Sequence, residues 1–116
     1  MTILAVIIGA FIGAPARFAI DRSVTARAGA SRIPWGLVTV NVIGSAIAGI
    51  VLATTSGELR TLLLVGFCGA FTTFSGFGWE ANRLWSADRR AFWITVLGMP
   101  IACTLAFLAC WSLLTR

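Results

Sequence analysis

Histidine and lysine are both absent from this chain of 116 residues, and acids are scarce: the nine basic residues are all arginine, against Asp21, Glu58, Glu80 and Asp88. Without histidine there is no imidazole general base and no imidazole metal site. With so few carboxylates, no nucleophile–base arrangement can be assembled, and an enzyme is not expected. Charged residues make up only 11% of the chain and hydrophobic ones 59%. A soluble domain of this size needs far more polar surface, so composition places the chain in lipid. Cysteine is rare and odd in number (Cys68, Cys103 and Cys110, all in apolar runs). That pattern reads as small packing residues and implies no disulfide framework.

What is present is a set of long apolar runs. A helix needs roughly 20 largely apolar residues to cross the hydrocarbon core. Four such spans are expected in one domain covering residues 1–116: Thr2–Ile20, Trp35–Thr55, Leu59–Leu84 and Ala91–Leu114. The fold class is therefore all-α and multi-pass. Trp35, Trp79, Trp85, Trp93 and Trp111 fall near span ends, as an interfacial belt places them. The net charge of +5 sits in the short connections between spans. In a soluble protein it would point to nucleic acid; here it sets membrane orientation, and no nucleic-acid partner is expected. The apolar stretch ending in Ala14-Pro15-Ala16 has the look of a cleaved signal peptide, but no positive side chain precedes it and Arg17 runs on into Phe18-Ala19-Ile20. A retained helix is the reading.

The third span contains the least regular segment, Gly66–Phe77, with the sequence GFCGAFTTFSGF. Glycines and paired threonines stand where a spanning helix should be most regular. Irregular backbone at membrane depth is tolerated only where it is buried in protein or lines a wet cavity, so a pathway is expected here. Small residues at helical spacing (Gly9 and Gly13, Ser45 and Gly49, Gly98 with Ala102 and Ala106) predict close helix contacts in a compact bundle or an oligomer.

Polar side chains inside the spans are costly and need partners or a path. Asn41 lies near the middle of the second span, and its amide serves either an anion or an interhelical hydrogen bond; Ser45, one turn on, shares that choice. Thr104 in the fourth span serves either a solute or its own helix backbone. Arg17 and Glu80 are interfacial anchors, members of an ion pair, or vestibule charges that order the entry of an ion. Phe74 and Phe77 share a helix face. Such a pair is usually packing, but a phenyl ring has a positive edge that can hold a small anion without formal charge. Phe67 and Phe71 are read as core or lipid-facing.

These residues fall into three ordered motifs: Gly13-Ala14-Pro15-Ala16-Arg17-Phe18, Val40-Asn41-Val42-Ile43-Gly44-Ser45, and the Gly66–Phe77 segment followed by Glu80. With them the chain resembles the Fluc family of small bacterial fluoride channels, over nearly its whole length. The resemblance implies an antiparallel, dual-topology dimer with two narrow pores in the bacterial cytoplasmic (inner) membrane, exporting fluoride passively and giving resistance to it. It implies a third helix broken at the membrane centre. It also implies a structural sodium ion at the dimer interface, held by backbone carbonyls that fall on Gly69 and Thr72. Asn41, Phe74, Phe77, Ser75, Thr73 and Thr104 would line the anion route. Two departures stand out: Gly76 where the family usually has threonine, and Ala70 in place of the second glycine of a pair.

Orientation carries a separate signal. Arg22, Arg27, Arg32, Arg89 and Arg90 lie on one side, with Arg17 and Arg83 near it, and only Arg60 and Arg116 on the other. The positive-inside rule places both termini outside the cytoplasm, and the bias predicts a preferred orientation and an oppositely inserted partner, identical or related. Two other functions are open on the sequence. A proton-coupled multidrug-type exporter needs a deep carboxylate, which the first span lacks. A non-conducting accessory subunit would leave the broken third span and Asn41 unexplained.

Overall fold

A computed structural model describes residues 1–116. The chain is all helical: α1 (Thr2–Ala28), α2 (Trp35–Thr54), α3 (Gly57–Arg60), a π-helical stretch (Thr61–Cys68), α4 (Gly69–Phe71), α5 (Phe74–Ala87) and α6 (Arg89–Leu114). Taken together, α3, the π-helical stretch, α4 and α5 make one interrupted span, so the molecule has four passages long and apolar enough to cross a membrane. Its longest dimension is 45 Å, which matches a bilayer including its headgroup regions, about 40–45 Å.

The helices outrun the apolar windows that mark them. α1 continues to Ala28, past the apolar run that ends near Ile20, because nothing between Asp21 and Arg27 stops a helix until Gly29 turns the chain at φ 65°. This polar extension packs on the start of α2. Gly36 there lies so close to Asp21 and Thr25 that a side chain would collide with both. Two acceptor side chains open helices, one in the middle of the third passage and one at the start of the fourth. Thr73 Oγ1 accepts from the Gly76 N–H at 3.0 Å and caps α5, and Asp88 Oδ1 accepts from the Ala91 N–H at 3.1 Å and caps α6. At the opposite end, Arg60 turns back and donates to the carbonyls of Leu52 and Thr55, closing the C-terminus of α2. Several hydroxyls within the spans are satisfied on their own helices, among them Thr39, Thr54 and Thr104 bonding the carbonyl four residues back.

Packing follows the small residues. α2 rests mainly on α6 and α1 mainly on the π-helical stretch. Gly49 lets α2 approach the backbone of α6, where an added Cβ would meet the Trp111 nitrogen at 3.3 Å. Gly9 and Gly13 bring α1 against the backbone at Phe67, and Gly66 returns the approach. Close backbone contact of this kind replaces the hydrophobic drive that lipid removes. Gly98, by contrast, meets nothing within 4 Å of where a side chain would stand. The buried core is correspondingly slender, with Val40, Phe71, Leu84 and Thr95 its most enclosed side chains.

Candidate functional site

The third passage is interrupted where the sequence turns irregular. Thr72 (φ −89°, ψ 162°) and Thr73 (φ −149°, ψ 122°) are extended, between α4 and α5. A break in the middle of a span leaves polar backbone atoms that must find partners. Asn41, only 8% exposed, supplies them from α2. Its Oδ1 accepts from the Thr73 N–H at 2.9 Å and its Nδ2 donates to the Thr73 carbonyl at 3.1 Å. The amide thus reads the backbone of Thr73 as a second peptide group would. Gly44, one turn further along α2, is needed for the same approach: an added Cβ would press on the Thr72 methyl and meet Phe71 Cδ1 at 3.2 Å.

The consequence for α4 is specific. In an unbroken helix the N–H of Thr73 would bond the carbonyl of Gly69, and the N–H of Gly76 would bond the carbonyl of Thr72. Both donors are diverted, the first to Asn41 Oδ1 and the second to Thr73 Oγ1. The carbonyls of Gly69 and Thr72 are therefore released from their helical partners, and Gly69 lies on an exposed face with nothing within 4 Å of where a side chain would be.

Two clefts meet at the break. The outer one, about 430 Å³, is lined by Arg17, Asp21, Ser75, Gly76, Glu80 and Thr73 among others. The inner one, about 270 Å³, is lined by Asn41, Ser45, Thr72, Thr73, Phe74, Phe77, Met99, Pro100 and Cys103. Thr73 belongs to both, and its hydroxyl lies 3.0 Å from Ser75 Oγ. In the outer cleft Glu80 is paired with Arg83 at 2.7 Å, an i,i+3 bridge on the same helix. In the inner cleft the rings of Phe74 and Phe77 sit 5.8 Å apart, tilted by 33°. Phe77 is partly covered, whereas Phe74 is 85% exposed and turned out of the single chain.

Asn41, Thr73, Ser75, Phe74 and Phe77 are thus brought together around one interruption, with Arg17 and Glu80 at its outer mouth. Thr104 is not among them. It lies exposed on α6 with its hydroxyl 2.8 Å from the Pro100 carbonyl. Phe71 is core, 1% exposed, and Phe67 stacks on it at 5.3 Å. Sequence reasoning passed over Met99. It is buried in α6, and its sulfur accepts from Asn41 Nδ2 at 3.4 Å. An apolar residue in an apolar helix carries no mark of such a contact.

A bundle of four passages long and apolar enough to cross a membrane, one broken at its centre beside a cleft lined by phenyl rings, hydroxyls and a buried amide, defines a small multi-pass membrane protein with a polar cleft at the break. The chain belongs to the family described as CrcB-like protein, Camphor Resistance (CrcB), whose model matches residues 4–112. It is similar to the fluoride-specific ion channel FluC 1 of Nocardia farcinica, 49% identical over 85 residues, 72% of this chain and 59% of that relative. The match therefore spans less than two thirds of the Nocardia protein. It is also similar to the fluoride-specific ion channel FluC of Geobacter sulfurreducens, 44% identical over 89 residues covering 72% of this chain and 71% of the relative. The FluC of Solibacter usitatus aligns from end to end, 35% identical over 100% of this chain and 99% of the relative.

Proposed function

We propose that this chain forms a passive, fluoride-selective channel rather than an enzyme, exporting fluoride across the bacterial inner membrane and so protecting the cell. The observation that carries this reading is the inner cleft, where the rings of Phe74 and Phe77 and the Asn41 amide surround the break in the third passage. Fluoride is small and holds its water tightly. A pore must replace that water with several weak partners, favourable enough for entry yet weak enough for release. Ring edges, an amide and hydroxyls meet that need without the deep trap of a bare guanidinium. In this reading Arg17 and Glu80 stand at the mouth, Ser75 and Thr73 continue inward, and Phe74, Phe77 and Asn41 form the narrow part.

The same reading makes the working unit a dimer of oppositely inserted chains. Phe74 needs cover from outside its own chain, and the released carbonyls of Gly69 and Thr72 supply only two oxygens of the several a hard cation takes. A structural sodium ion fits these donors: neutral oxygens on backbone freed by the break, repeated from a second chain across the interface. It would tie the two broken helices together. The arginine distribution gives each chain a preferred orientation, with the α1–α2 and α5–α6 connections cytoplasmic and both termini outside. The partner is a chain of the opposite orientation.

Liposomes containing this protein test the proposal directly. Fluoride efflux is expected to exceed chloride efflux by orders of magnitude, and Phe74→Ile is expected to abolish it while leaving the protein folded. Equal passage of the two halides, or proton-driven efflux of an organic cation, would reject the channel reading.

A further inference from the structure

Asn41 has one hydrogen more than the break requires. The backbone of Thr73 dictates which way the amide faces, because an N–H must meet Oδ1 and a carbonyl must meet Nδ2. One Nδ2 hydrogen is then held by the Thr73 carbonyl and the other is turned toward Met99, whose sulfur lies 3.4 Å away. A thioether is a weak acceptor. Both residues line the inner cleft together with Phe74 and Phe77, and both are buried, Met99 at 4% exposure. The spare hydrogen is therefore kept from being orphaned without being committed.

We infer that Met99 is a positioning residue for conduction: its sulfur holds the second N–H of Asn41 between ions and gives it up to each fluoride that enters the inner cleft. This deepens the fluoride-channel reading and rests on it. The physical content is a matched exchange. An arriving anion replaces a weak N–H···S contact with a charge-assisted N–H···F⁻ bond, and when it leaves the sulfur returns, so the amide is never left bare in a low-dielectric site. The bonds between Asn41 and Thr73 are untouched throughout, so the break keeps its shape while the ion passes. A stronger acceptor at position 99 would compete with the ion, and a side chain with no acceptor would leave the hydrogen free for it.

Asn41 and Asn82 carry the side-chain carboxamides of this chain, which has no glutamine. Their NH₂ resonances in a nitrogen-15 spectrum of the reconstituted wild-type protein are therefore few and separable. On titration with fluoride, one of the two Asn41 protons is expected to shift strongly and the other weakly, with Asn82 unmoved and chloride without effect. In flux assays Met, Leu and Gln, which are similar in size, grade the acceptor. Met99→Leu is expected to lower the half-saturating fluoride concentration several-fold and Met99→Gln to raise it about tenfold, the scale of one hydrogen bond. Fluoride transport by the wild type with both Asn41 protons unmoved, or moving together, would overturn the role of Met99 and leave the channel reading standing. The spectrum alone decides this if the glutamine variant does not fold. Absence of fluoride transport by the wild type would remove both.

Discussion

At Thr73 the amide hydrogen goes to Asn41 Oδ1, the carbonyl takes Asn41 Nδ2, and the hydroxyl caps α5 at Gly76 while lying beside Ser75. Neighbouring residues show why Gly76 suits this chain where a larger side chain would not. An added Cβ would stand 2.9 Å from the Thr73 methyl and 3.0 Å from Leu37 Cδ1, so the cap is built against the bare glycine backbone. A contrasting residue is Thr95, 2% exposed with a hydroxyl that has no partner. An unmet buried hydroxyl costs free energy that an isosteric methyl does not. Thr95→Val is expected to stabilise the protein by about 1 kcal/mol, seen as a higher thermal midpoint in detergent micelles with fluoride flux retained. A lower midpoint would show that the hydroxyl has a partner in the membrane.

Among the elements, the interrupted third passage depends on α2. Its break is not held by its own residues alone: the two bonds from Asn41 stand in for the helical pairing that Thr73 gives up. Asn41→Ala would leave the N–H of Thr73 unmatched at membrane depth, while its carbonyl, at the N-cap of α5, keeps the first bond of that helix. The expected cost is about 1–3 kcal/mol for the orphaned N–H, with faster amide hydrogen exchange confined to α4 and the first turn of α5. Protection unchanged at Thr73 would mean that the break holds itself. The π-helical stretch before it is a separate feature. It packs against α1 through Gly66, Gly9 and Gly13, and nothing in the run Thr61–Cys68 announces a wider helix. Such stretches are rare and frequent at functional sites.

For the whole molecule the governing quantity is charge across the bilayer. Arg32 Nη1 lies 3.5 Å from the Ala87 carbonyl, so the α1–α2 and α5–α6 connections share one end, and the arginine-rich face is a single surface. At the other end Arg60 is folded onto α2. A reporter fused at the C-terminus is expected to read one orientation, outside, when this chain is expressed alone. Replacing Arg89 and Arg90 with neutral residues while adding arginines near Ser56 is expected to shift the population toward the opposite orientation. A mixed population for the unaltered chain would remove the preference and make a homodimer of opposed copies the simpler assembly.

Four passages, their order and the place of the interruption were legible in the amino-acid sequence, because hydropathy and helix-breaking act over a few neighbouring residues. Asn41 stood out as a polar side chain in an apolar run, whereas Thr73, Ser75, Phe74 and Phe77 were joined to it only through the family resemblance, a phenylalanine pair being unremarkable in an apolar helix. Their partners were not legible. That Asn41 bonds Thr73, 32 positions away, that its last hydrogen rests on Met99, that Glu80 turns to Arg83 and Thr104 to its own helix are choices among several acceptors. Those choices are made only when α2, α5 and α6 are packed side by side. A hydrogen bond is decided within a few tenths of an ångström, and distances on that scale exist only in the folded bundle.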